Sequence, residues 1–72
     1  MEIISVKSSV VAKIAFDGNN LFIKFVDNGW YVYRNFPANL FAEFRNAQSK
    51  GTFLNRRIKP NFHGDKCPSP EL

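Results

Sequence analysis

Between Val11 and Arg34 three short runs rich in β-branched and aromatic residues, Val11 to Phe16, Leu21 to Val26 and Trp30 to Arg34, are separated by two polar breaks, Asp17-Gly18-Asn19-Asn20 and Asp27-Asn28-Gly29. Such runs read as β-strands and such breaks as hairpin turns. Asn-Gly tolerates positive φ at both central positions, so a two-residue turn at Asn28-Gly29 predicts Val26 opposite Tyr31 and Phe25 opposite Val32. A symmetric first loop predicts Phe16 opposite Leu21. Side chains alternate between the faces of a sheet. These registers therefore gather Ala12, Ile14, Phe16, Leu21, Ile23, Phe25, Trp30 and Val32 on one uncharged face. The other face then carries Val11, Lys13, Ala15, Phe22, Lys24, Val26, Tyr31 and Tyr33, a mixture of aromatic rings and two lysines.

After Phe36 the period changes. Leu40, Phe41, Phe44 and Ala47 recur at helical spacing, with Ala42, Glu43, Arg45 and Asn46 on the opposite side, behind a Pro37 suited to a first turn. One amphipathic helix is expected from about Pro37 to Gln48, with Gly51 as its left-handed stop. Its apolar stripe fits the uncharged sheet face. Thr52 to Phe62 carries Phe53, Leu54, Ile58 and Phe62, expected to form a short helical turn and a packed end segment. Beyond Phe62 two prolines and little apolar content predict a flexible tail over 63–72 behind a single domain over 1–62. The fold class is α+β: a three-stranded antiparallel β-meander with one helix packed on one face and a short C-terminal element.

At 72 residues and 8.3 kDa there is room for one modest core. Cys67 and His63 are the only cysteine and histidine, so neither an intramolecular disulfide nor a four-ligand zinc site is available, and no metal or cofactor is expected. Eight Phe, two Tyr and one Trp supply the packing area instead. No apolar run approaches the roughly 18 residues of a membrane helix, and Glu2, Lys7 and Lys13 interrupt the start, which predicts a soluble, cytoplasmic protein without membrane contact. The charge is uneven: three lysines meet three carboxylates up to Tyr33, whereas seven cations face three carboxylates from Arg34 onward, giving the net +4. Such a field favours polyanions.

Catalysis fails on inventory. Cys67 and His63 lie in the expected tail with nothing to orient them, and Asp17 and Asp27 sit in turns where aspartate bonds its own backbone. The chain reads as a non-enzyme. Two binding features stand out. Phe22, Tyr31 and Tyr33 beside Lys13 and Lys24 resemble a sheet platform on which unpaired bases stack while cations meet phosphates. Ile3, Ile4 and Val6, or the segment Phe53 to Ile58, are the alternative, as a cover that buries the rings. Arg56-Arg57-x-Lys59 is either a phosphate-binding cluster or a solvated surface. Ser49, Gly51 and Asn55 read as caps and turns.

In order along the chain stand Ser8-Ser9, Phe16-Asp17, Leu21, Phe25, Gly29 with Tyr31-Val32-Tyr33, Pro37, Ala47-x-Ser49-x-Gly51-x-Phe53-Leu54-Asn55 and Ile58-Lys59. This series resembles the KTSC domain family from about Val6 to Phe62, with Tyr-x-Tyr its most recognisable element. Phe36 stands where that family more often has a small aliphatic residue. The resemblance implies a small β-meander plus helix without an established activity, found alone in bacteria and phages or at the C-terminus of some lysyl-tRNA synthetases. That association suggests RNA. The leading expectation is therefore a binding module for RNA or another single-stranded nucleic acid, using Tyr31, Tyr33, Phe22, Lys13, Lys24, Arg56, Arg57 and Lys59. Its rival is a protein-interaction domain that pairs with itself or with a specific host protein.

Overall fold

The computed structural model describes residues 1–71. Strands β1 (Ile3–Ser5), β2 (Val11–Phe16), β3 (Leu21–Phe25), β4 (Trp30–Tyr33) and β5 (Gly64–Cys67) form one antiparallel sheet in the order β1-β2-β3-β4-β5. Helix α1 (Ala38–Asn46) is followed by the short α2 (Lys50–Phe53), which continues into a π-helical turn over Leu54–Ile58. The fold is α+β as expected, but the sheet has five strands instead of three and a second helix follows the first. None of these helices is long and apolar enough to cross a membrane.

The first hairpin forms as predicted, with Phe16 opposite Leu21 and the turn tied by Asp17, whose carboxylate accepts the Asn19 and Asn20 N–H groups at 2.8 and 2.6 Å. Near the other end of that pair a bulge between Val11 and Lys13 brings Val11, not Ala12, opposite Phe25. An extra residue in one strand reverses the facing of everything beyond it. Val11 thereby enters the core, fully buried.

The second hairpin departs from expectation. Leu21 pairs with Tyr33, Ile23 with Tyr31 and Lys24 with Trp30, a register shifted by three residues from the predicted one. Neither Asn28 nor Gly29 takes the positive φ that a two-residue turn needs. A wider loop closes instead, with Phe25 N–H donating to Gly29 O at 3.3 Å and the Lys24 ammonium donating to the Phe25 and Asn28 carbonyls at 2.7 and 2.6 Å. A shift by an odd number turns a strand over. Tyr31 and Tyr33 therefore join Leu21 and Ile23 on the helix side, while Trp30 and Val32 join Phe22 and Lys24 on the other.

The core lies between the sheet and the helices. Val11, Ile14, Leu21, Ile23 and Tyr33 meet Phe36, Phe44, Leu54 and Ile58, with Leu40, Phe41 and Phe53 packed against them. Phe16 stacks on Phe41 at 4.8 Å and Phe44 lies 5.3 Å from Phe53, so the predicted helix face is the one that docks. Asn35, at φ 55°, makes the left-handed step that turns the chain out of β4 and sends Phe36 into the core. Gly51 is no left-handed stop: α1 ends at Asn46 with Ala47 as its extended cap residue, and Ser49 caps α2 by accepting the Thr52 N–H at 3.2 Å.

The segment expected to be a flexible tail is built into the sheet. Gly64–Cys67 pairs with β4 over its whole length, and the ion pair of Glu71 with Lys13, which faces away from the helices, draws Pro68–Glu71 to that face. Glu71 reaches Lys13 on β2, three strands away, with an Oε1 to Nζ distance of 3.0 Å. Three inter-strand steps are about 14 Å, the reach of roughly four extended residues. To reach Lys13 this strap must cross β4 and β3, and on that face of β4 Trp30 and Val32 are buried at 6% and 5% exposure without belonging to the helix-side core.

Candidate functional site

Where the helix layer stops short of β4 and β5, the sheet opens into a pocket of about 470 Å³. Phe25 and Asn28 line it from β3 and its turn, and Tyr31 and Tyr33 from β4. Lys59 and Phe62 line it from the segment after the π-helical turn, and His63 and Gly64 from the start of β5. The tyrosines share this side because they are two residues apart on a strand. Phe25 meets Tyr31 edge to face at 5.4 Å and 81°, and Phe62 is fixed by a tilted contact with Phe36 at 4.7 Å. The pocket is therefore walled by aromatic rings held by packing.

Lys59 owes its place to the π-helical turn. Its N–H donates to Leu54 O at 2.9 Å, closing the wide loop that buries Leu54 and Ile58 and leaves the next residue at the pocket. Phe62 N–H then donates to Ile58 O at 2.9 Å, which turns the chain toward β5. At the far side Gly64 lies directly on Tyr33: a Cβ at that position would come within 2.6 Å of the ring. Only glycine lets the two strands close over the phenol.

Tyr33 is 4% exposed, yet its hydroxyl has no hydrogen-bond partner among the described residues. No fully buried side-chain polar atom there is left unpaired, so this oxygen must reach solvent, and the space it borders is the pocket. Burial, with the neighbouring Tyr31 adding to it, raises the Tyr33 pKa above the usual phenol value of 10.0. At neutral pH the hydroxyl stays protonated and both donates and accepts. Lys59 supplies positive charge to the lining, which contains no carboxylate.

The residues singled out in the sequence divide between two places. Tyr31, Tyr33 and Lys59 come together in the pocket. Phe22, Lys13 and Lys24 lie on the opposite sheet face, so the five-residue platform does not form. Both lysines there have partners, Glu71 for Lys13 and two turn carbonyls for Lys24. Of the two expected covers, the N-terminal residues do not reach the tyrosines, because β1 pairs at the sheet edge with Ile4 opposite Ile14, whereas the segment Phe53 to Ile58 shares the core with Tyr33 and leaves Tyr31 half-buried. Arg57 is held by Glu43 at 3.3 Å and lies over the Phe53 ring at 5.2 Å. Arg56 is exposed, outside the pocket, and without a partner among the described residues. His63 sits 3.1 Å from Asp65, and burial raises the Cys67 thiol against the opposing pull of Arg34, so these two do not form a pair.

Phe25, Asn28, Phe62 and Gly64 were not singled out from the sequence as site residues, and His63 was weighed only for catalysis and set aside in the expected tail. Tyr-x-Tyr was the available signal, since it commits two rings to one face, but their neighbours depend on the register. Nothing in Gly64-Asp65-Lys66-Cys67 marks it as the strand beside them.

This is a small α+β domain in which helices cover one face of a five-stranded meander and leave an aromatic pocket at its edge. The KTSC domain profile matches residues 7–62, and the chain belongs to the KTSC domain family. Its structure is similar to the crystal structure of a KTSC domain protein from Yersinia pestis, with a TM-score of 0.87 and 33% identity over 93% of this chain and 97% of that one. No curated protein matches the chain.

Proposed function

We propose that the protein is a non-catalytic module that binds single-stranded nucleic acid, with RNA the preferred form, through the aromatic pocket and the unpaired cations on its side of the sheet. The observation that carries this reading is the lining itself: four aromatic rings, one lysine and no carboxylate. Unpaired bases stack on such rings, and lysine and arginine take up the phosphates. Lys59, Arg56 and Lys66 supply that charge, and none of them has an ion-pair partner among the described residues. A duplex hides its bases from a pocket of this kind.

The test is fluorescence anisotropy with a short labelled single-stranded RNA and a duplex DNA over a range of salt. Single strands should bind more tightly than duplex, and affinity should fall with salt. Lys59→Ala should weaken all sequences about equally and flatten the slope of log affinity against log salt by roughly 0.7. Absence of binding to either nucleic acid at low salt overturns the reading. A mass that rises with protein concentration in the same samples would then transfer it to a protein-interaction module.

A further inference from the structure

We propose that the pocket receives one unpaired nucleotide, its base between the aromatic walls with an edge on the Tyr33 hydroxyl, and its phosphate on Lys59. This rests on the nucleic-acid reading and narrows it from a surface to a subsite. The volume of about 470 Å³ lies low in the range of roughly 300 to 1,000 Å³ that encloses single small ligands, so it suits one nucleotide and not a length of strand. The walls suit a flat ring. A lining without carboxylates disfavours amines and guanidinium groups, whereas Lys59 at the same opening suits an anion.

The second, independent observation is the Tyr33 oxygen. The ring is held in place by its burial, while the oxygen itself reaches solvent. That oxygen borders the pocket unpartnered, and the Asn28 side of the lining adds an amide residue. Base edges present donors and acceptors that match both groups. Tyr33→Phe removes only an oxygen that bonds nothing in the protein, so the variant should fold as the parent does.

The experiment follows amide chemical shifts of the full chain during titration with each of the four ribonucleoside 5′-monophosphates, with the matching nucleosides, and with inorganic phosphate. At least one monophosphate should move the Tyr31, Tyr33, Phe62 and Gly64 resonances in a saturable way. Its nucleoside should bind more weakly. Lys59→Ala should lower monophosphate affinity about tenfold, as expected for loss of a charge-assisted contact, and leave nucleoside affinity unchanged. Tyr33→Phe should reduce the preference among the four bases.

Saturation by inorganic phosphate at the same resonances and affinity would make this an anion site and overturn the proposal. So would an unchanged base preference in Tyr33→Phe. Monophosphates that move nothing, while an RNA oligonucleotide binds elsewhere on the chain, would remove the subsite and leave the nucleic-acid function standing. If neither binds, both readings fall together.

Discussion

On one side of the sheet the cover is a layer of helices that contributes Phe44, Leu54 and Ile58, all fully buried. On the other side it is a strap of four residues after β5, ending in one ion pair. The charges differ as sharply. Lys13 is held by Glu71, Lys24 by two carbonyls, and Arg34 on the strapped side by Asp65. On the helix side Lys59 and Lys66, with Arg56 nearby in the chain, have no partner among the described residues. A cation already paired gains little by meeting a phosphate, because the old contact must break first. Half-buried aromatic rings and unpaired cations therefore meet on the helix side, although the sequence places lysines on both.

The largest effect is expected at the helix layer. Phe44→Ala should destabilise the domain by about 3 to 5 kcal/mol in urea denaturation, the usual effect of deleting a buried phenyl group. A loss below about 1 kcal/mol would mean that the helix layer is not the main core. Next comes the strap side. Ending the chain at Phe62 removes β5 and the strap and re-exposes Trp30 and Val32, which at about 25 cal/mol per Å² should cost about 3 kcal/mol and shift Trp30 emission to the red. Unchanged stability and emission would show the strap to be ornamental. The smallest effect is expected from Glu71→Gln, which loosens the strap without deleting it. Its partly exposed ion pair is worth at most about 1 kcal/mol, and high salt should erase the difference from the parent protein.

Much of this fold was legible in the sequence. Leu40, Phe41 and Phe44 mark the docking face of α1 because only small or polar residues occupy the rest of the helix, and Phe16 opposite Leu21 follows from the short polar loop between them. Trp30-Tyr31-Val32-Tyr33 was ambiguous for a physical reason. It is apolar on both faces, so alternation does not say whether Trp30 and Val32 or the two tyrosines meet the helices. The choice fell to the turn, and Asn28-Gly29 suggested a two-residue form that the Lys24 ammonium, bonded to the loop carbonyls, replaces with a wider one. β5 was hidden because Gly64-Asp65-Lys66-Cys67 has almost no strand propensity. It is held by the free edge of β4 and by the fit of Gly64 against Tyr33, both long-range facts. For the candidate site, the sequence supplied Tyr31, Tyr33 and Lys59 but placed the tyrosines beside the wrong lysines.

The claim that binding belongs to the helix side is most directly tested by a single amide-shift titration of the full chain with a short single-stranded RNA, read as a map over both faces. The expected result is a cluster of shifted resonances at Phe25, Asn28, Tyr31, Tyr33, Lys59, Phe62 and Gly64, with Lys13, Phe22 and Lys24 unmoved. Shifts centred on Lys13, Phe22 and Lys24, with the pocket silent, would contradict it and return the function to the strapped face.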